Sequence, residues 1–128
     1  MDPEQEKYLE NETNRLESVV SDISSMTDPD DMMYSIMETL NDTVVVAPDV
    51  GRYYTFIYDP KTPRIRYDQF PLIACVGLFR WGFRGINYHW PGFRNYDWQQ
   101  SIGNLYMAYP MEIQDLRSIP YQNFRINN

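Results

Sequence analysis

The sequence predicts an α+β protein, with acidic N-terminal helices followed by a small, strongly bent antiparallel β-sheet or barrel and one further helix. Three observations carry this expectation. Up to position 40 the apolar residues step by three and four, as on a helix face. From Thr43 onward, β-branched and aromatic residues dominate, broken by Gly and Pro. The charge divides at nearly the same place: residues 1–50 carry 13 acids and 2 bases (−11), and residues 51–128 carry 5 acids and 9 bases (+4). Two segments follow: an acidic helical arm over 1–42 and an aromatic-rich β-domain over 43–128.

The chain has 128 residues and 43% hydrophobic content, enough for a real core and too much for global disorder. No apolar run is long enough to span a bilayer, so no membrane partner is expected. The acidic start lacks the apolar stretch of a signal peptide, so cytosolic synthesis is expected.

In the arm, Leu9, Thr13, Leu16, Val20 and Ile23 form a heptad stripe and predict a helix over 8–26. Two and a half heptads cannot stand alone. The stripe must pack on its own body, on a copy of itself or on a partner. Leu9, Leu16, Val20 and Ile23 are accordingly candidate partner-binding residues. A second helix starts at Asp28, with Pro29 in the first helical position and Asp30 and Asp31 in the first turn. Met32, Met33, Ile36, Met37 and Leu40 form its apolar face, and Asn41-Asp42 ends it.

In the β-domain, residues 43–46 and 52–58 read as two strands that can form a hairpin around the turn at 47–51. A Pro-punctuated loop over 59–63 precedes an irregular extended stretch over 65–70. A buried strand covers 71–79, with Gly77 marking a bulge or bend. Residues 80–85 read as a glycine-rich turn, followed by a strand over 86–90. Trp98, Ile102, Leu105 and Tyr109, at spacings of 4, 3 and 4, predict a helix over 97–109, capped by Asn95 or Asp97 and ended by Pro110. Residues 111–117 read as another helical turn, and 119–126 as a terminal strand that closes the sheet.

Catalytic or metal chemistry is hard to assemble from these residues. Cys75, the single cysteine, sits in an apolar run and reads as a small buried core residue; no disulfide or zinc cluster can be built from it. His89, the single histidine, reads as a surface or hydrogen-bonded structural residue. Gly77, Gly82 and Gly85 make no phosphate-binding pattern. Asp28, Asp30 and Asp31 resemble a calcium loop only superficially, because Met32-Met33 stands where a glycine turn is needed. No catalytic, cofactor or metal site is expected, and the chain is not expected to be an enzyme.

The strongest remaining feature is Arg80-Trp81-Gly82-Phe83-Arg84, followed by Tyr88, Trp90, Phe93 and Arg94. Three readings fit: core aromatics with solvated arginines, a protein interface, or a strand-stacking nucleic-acid site. The acidic front half places a protein partner ahead of nucleic acid. Trp81, Phe83 and Arg84 are the candidate contact residues here.

Residues 54–63, 67–72 and 82–90, together with the ending Ile119-Pro120-Tyr121 and Arg125-Ile126-Asn127-Asn128, resemble small virion-associated proteins of large contractile-tailed bacteriophages, especially those infecting marine cyanobacteria. The resemblance covers about residues 52–128. It implies a structural component of the tail or baseplate, made in the host cytoplasm and located in the virion. On that reading other virion proteins are the expected partners, and symmetric repetition of the helical arm, which cannot stand alone, predicts a homo-oligomer or ring within a larger assembly. It identifies no active site. The alternative reading is a small-barrel nucleic-acid-binding or assembly accessory protein, with Arg80, Trp81, Phe83, Arg84 and Arg94 on the strand.

Overall fold

The computed structural model describes residues 13–59, 66–90 and 92–126. Among them are three α-helices, α1 (Val20–Ser24), α2 (Pro29–Thr39) and α3 (Ile113–Ser118). The strands are β1 (Val44–Val45), β2 (Tyr53–Tyr58), β3 (Arg66–Asp68), β4 (Leu72–Leu78), β5 (Gly82–Asn87), β6 (Phe93–Asp97), β7 (Ser101–Ala108) and β8 (Phe124–Ile126). Six of them form one antiparallel sheet in the order β1-β7-β2-β4-β5-β6. This sheet is not closed, because β1 and β6 remain edges. The expected α+β content is therefore present, and the barrel is not.

The α2 boundaries follow from local chemistry. The Asp28 carboxylate accepts from the Asp30 amide, and Pro29 fills the first helical position without wasting a donor. Met32, Met33 and Ile36 are buried on the inner face, and Leu40 is buried at the helix end. The first helix differs from expectation. Positions 1–12, including Leu9, lie outside the described residues. From Asn14 the chain makes a turn, in which the Asn14 side chain accepts from the Leu16 and Glu17 amides. Only Val20–Ser24 then forms regular helix.

The sheet curls through two irregularities, between Thr55 and Ile57 in β2 and between Cys75 and Gly77 in β4. Both faces carry cores. On one side Leu16, Ile23, Met32, Met33, Ile36 and Leu40 pack with Leu72, Leu116, Ile119 and Tyr121. The arm and the sheet thus share one apolar cluster. On the other face Tyr54, Phe56, Tyr58, Ile73, Cys75, Phe83, Tyr96, Leu105 and Met107 form a second cluster, rich in edge-to-face rings.

Several expected elements are corrected. Residues 97–109 are not a helix: Trp98–Gln100 is a single 3₁₀ turn and Ser101–Ala108 is strand β7. Leu105 and Met107 point into one core, while Tyr106 and Ala108 meet the other. A strand buried on both faces places apolar residues at helical spacings as well as alternating ones. The segments 43–46 and 52–58 do not pair as a hairpin, because β7 lies between β1 and β2. Gly82 through Gly85 belong to β5 rather than to a turn, which is confined to Arg80-Trp81. An added Cβ at Gly82 would lie 1.9 Å from the Tyr96 carbonyl oxygen, so glycine is there for close strand approach. Residues 88–90 bend instead of extending. The C-terminal strand β8 pairs with β3 as a separate ribbon and does not close the main sheet. That ribbon is fastened where the Tyr58 amide donates to the Gln69 carbonyl and the Gln69 amide donates to the Asn123 carbonyl, both at 2.9 Å.

Candidate functional site

The β4–β5 hairpin carries the exposed aromatic surface. Phe79 and Trp81 flank Arg80 at its tip and stack nearly parallel, at 5.0 Å and 5°. They remain 40% and 41% exposed. The Arg84 guanidinium lies 5.3 Å from the Phe79 ring and donates from Nε to Asn95 Oδ1 at 2.9 Å. From behind, the Trp98 indole N–H lies 3.1 Å from both the Phe79 and the Arg80 carbonyls and donates to them. The tip is thereby held as a fixed platform. Leu78 and Phe93 add further exposed apolar surface. Arg94 is not free, since its guanidinium covers Trp90 at 3.4 Å.

The structure brings Trp81 and Arg84 together through Phe79. Phe83 is fully buried beneath them, against Phe56, Tyr96 and Trp98, so its role is support. Leu16 and Ile23 are buried in the helix-side core, and Val20 packs against that core. The contacts seen for these three residues are with the chain's own body. Phe79 and Trp98 complete the platform, but the sequence placed Phe79 in a buried strand and Trp98 on a helix face. The signal for Phe79 was available, as an aromatic next to Arg80, whereas Trp98 is 14 or more residues from either arginine and is brought to the tip only by β6.

A second surface runs along α2. Tyr34 stands 62% exposed between two open depressions of about 410 and 240 Å³. Glu38 and Tyr106 line the larger one; Asp30, Ile57 and Phe70 line the smaller. Asp30 Oδ1 is buried there without a hydrogen-bond partner.

The chemically notable interior groups are sealed. His89 Nδ1 lies 3.2 Å from Asp68 Oδ2, and both side chains are about 3% exposed. The His89 ring also meets Tyr121 edge-on at 4.9 Å. His89 is thus hydrogen-bonded and structural, tying the β3–β8 ribbon to the main sheet. Cys75 is buried, and burial raises its thiol above the ordinary range, which opposes thiolate formation. Among the described residues, no group of three or more His, Cys, Asp or Glu is placed to hold a metal ion. No helix among them is long and apolar enough to cross a membrane.

Comparison with protein-family models, with curated proteins and with solved structures found no match.

Proposed function

We propose that this chain is a non-enzymatic structural component of a tailed-phage virion, in the tail or baseplate, that acts through protein–protein contacts. The observation that carries the reading is the Phe79–Trp81 pair, stacked at the surface, flanked by Arg80 and Arg84 and pinned by Trp98. The pair gains from its own stacking, but about two fifths of each residue stays in water, and a partner that covers it would bury that remainder. Aromatic and arginine side chains held rigidly at the surface are what protein interfaces use as anchors. The placement in a virion rests on the resemblance of residues 52–128 to virion-associated proteins.

Quantitative mass spectrometry of purified particles, calibrated on a tail protein of known copy number, tests this. A fixed small copy number is expected. Absence from particles sinks the reading. Single-stranded DNA binding that weakens steeply with salt would instead favour the nucleic-acid alternative.

A further inference from the structure

The chain displays two surfaces of opposite charge. Helix α2 carries Asp30, Asp31 and Glu38 and no base. Asp30 and Glu38 line the depressions on either side of Tyr34, and neither has an ion-pair partner among the described residues. The buried, unpaired Asp30 Oδ1 is the sharper sign. The Asp30 side chain as a whole is only half-buried, so its carboxylate is open to an incoming cation. The hairpin is the reverse. Between Asp68 and Asp97 the sequence holds Arg80, Arg84 and Arg94 and no acid. Arg80 is exposed at the hairpin tip, beside the stacked pair.

We propose that the β4–β5 hairpin of one copy docks into the α2 groove of a second copy, joining copies head-to-tail. The inference deepens the structural-component reading and rests on it. Arg80 meets the Asp30 carboxylate, and Phe79 and Trp81 lie against Tyr34 and the apolar floor formed by Ile57 and Phe70. The groove borders the helix-side core and the hairpin borders the opposite one. The contact therefore uses two different patches, and a docked pair still offers one free hairpin and one free groove, one on each copy. Repetition gives a ring if the rotation closes and a filament if it does not. A second copy is the occupant that the charge argument selects, since both complementary halves lie on the same chain.

The test is sedimentation of the full chain and of two variants. One variant disables the hairpin (Arg80→Glu with Trp81→Ala), and the other disables the groove (Asp30→Lys with Glu38→Lys). Wild type is expected to form species larger than a dimer that dissociate as salt rises. Each variant alone is expected to self-associate at least about tenfold more weakly. An equimolar mixture of the two variants restores one intact contact and should stop at a dimer. Circular dichroism confirms that each variant is folded; if one is not, the salt dependence of wild-type assembly still decides. A wild-type chain that stays monomeric overturns the proposal, as do assemblies that persist in both folded variants or are insensitive to salt. A monomeric chain that is nevertheless present in particles at fixed copy number overturns only the head-to-tail contact. Salt-sensitive head-to-tail assembly of a chain absent from particles overturns only its placement in the virion.

Discussion

Glu112 holds Arg15 in a two-point clasp, with Arg15 Nε donating to Oε2 at 2.9 Å and Nη2 donating to Oε1 at 2.7 Å. The Arg15 backbone amide also donates to Oε2, and the Tyr109 amide donates to Oε1. The same guanidinium reaches Asp42, Thr43 Oγ1 and the Met107 carbonyl, and it lies 4.2 Å from the Tyr109 ring. One side chain therefore binds the N-terminal turn to the end of α2, to β7 and to the approach to α3. Burial works against its charge, but the bonds and attraction from Glu112 and Asp42 outweigh this and raise its pKa.

Removing Arg15 leaves Glu112, which has no solvent exposure, without its counter-ion. Arg15→Ala is expected to lower stability by about 3 kcal/mol, the lower end for breaking a buried pair. The shift in urea midpoint measures it. Arg15→Lys should recover only part of the loss, because an ammonium cannot reproduce the forked geometry.

Leu16 is completely buried among α2 and α3 residues. Leu16→Ala is expected to cost about 2–5 kcal/mol through lost burial and cavity formation. Val46, 85% exposed, serves as the comparison, and its replacement by Ala should stay within about 0.5 kcal/mol. Equal effects at the two sites would contradict the packing of the N-terminal turn.

Gly82→Ala should disrupt the hairpin, because its new methyl collides with the Tyr96 backbone, which cannot swing aside as a side chain can. A loss of about 3 kcal/mol is expected. Gly51 is strained for other residues by its φ of +90°, but nothing lies within 4 Å of an added Cβ. Gly51→Ala should cost only about 1 kcal/mol. Thermal melting of the two variants gives the ranking.

Burial raises the phenols of Tyr96 and Tyr121 well above the ordinary value near 10, despite hydrogen bonds to Asn87 and Thr55 that act the other way. The unfolded chain therefore loses these protons first as pH rises. Their contribution to stability is full below about pH 10 and declines above it. In an ultraviolet titration followed alongside circular dichroism, Tyr96 and Tyr121 should ionise only in an abrupt step that coincides with unfolding. A single smooth titration of all phenols in a chain that remains folded would contradict this.

The legible parts of the fold were those written in local chemistry. The Asp28–Pro29 start of α2, the bulge at Gly77 and the bodies of β2 and β4 follow from neighbouring residues. Strand β7 did not, because both its faces are buried and its apolar positions suit a helix equally well. Strand β6 was missed because Phe93, Arg94 and Asn95 are exposed or half-exposed and show no alternating core pattern. Without β6, the Tyr96 partner of Phe83 was invisible, and Phe83 looked like a surface residue. Trp81 lies in the turn itself and Arg84 in β5, and both stay near the tip.

The helix-side core joins Leu16 to Tyr121, and β7 inserts between strands formed much earlier in the sequence. During synthesis, then, the segment around Leu16 has no finished core to rest on until Tyr121 has been translated. A ribosome that stops short of Tyr121 releases a chain with an open core, which proteases and chaperones recognise. The topology itself thus acts as an inspection step, since only a chain that reaches Tyr121 can close this core.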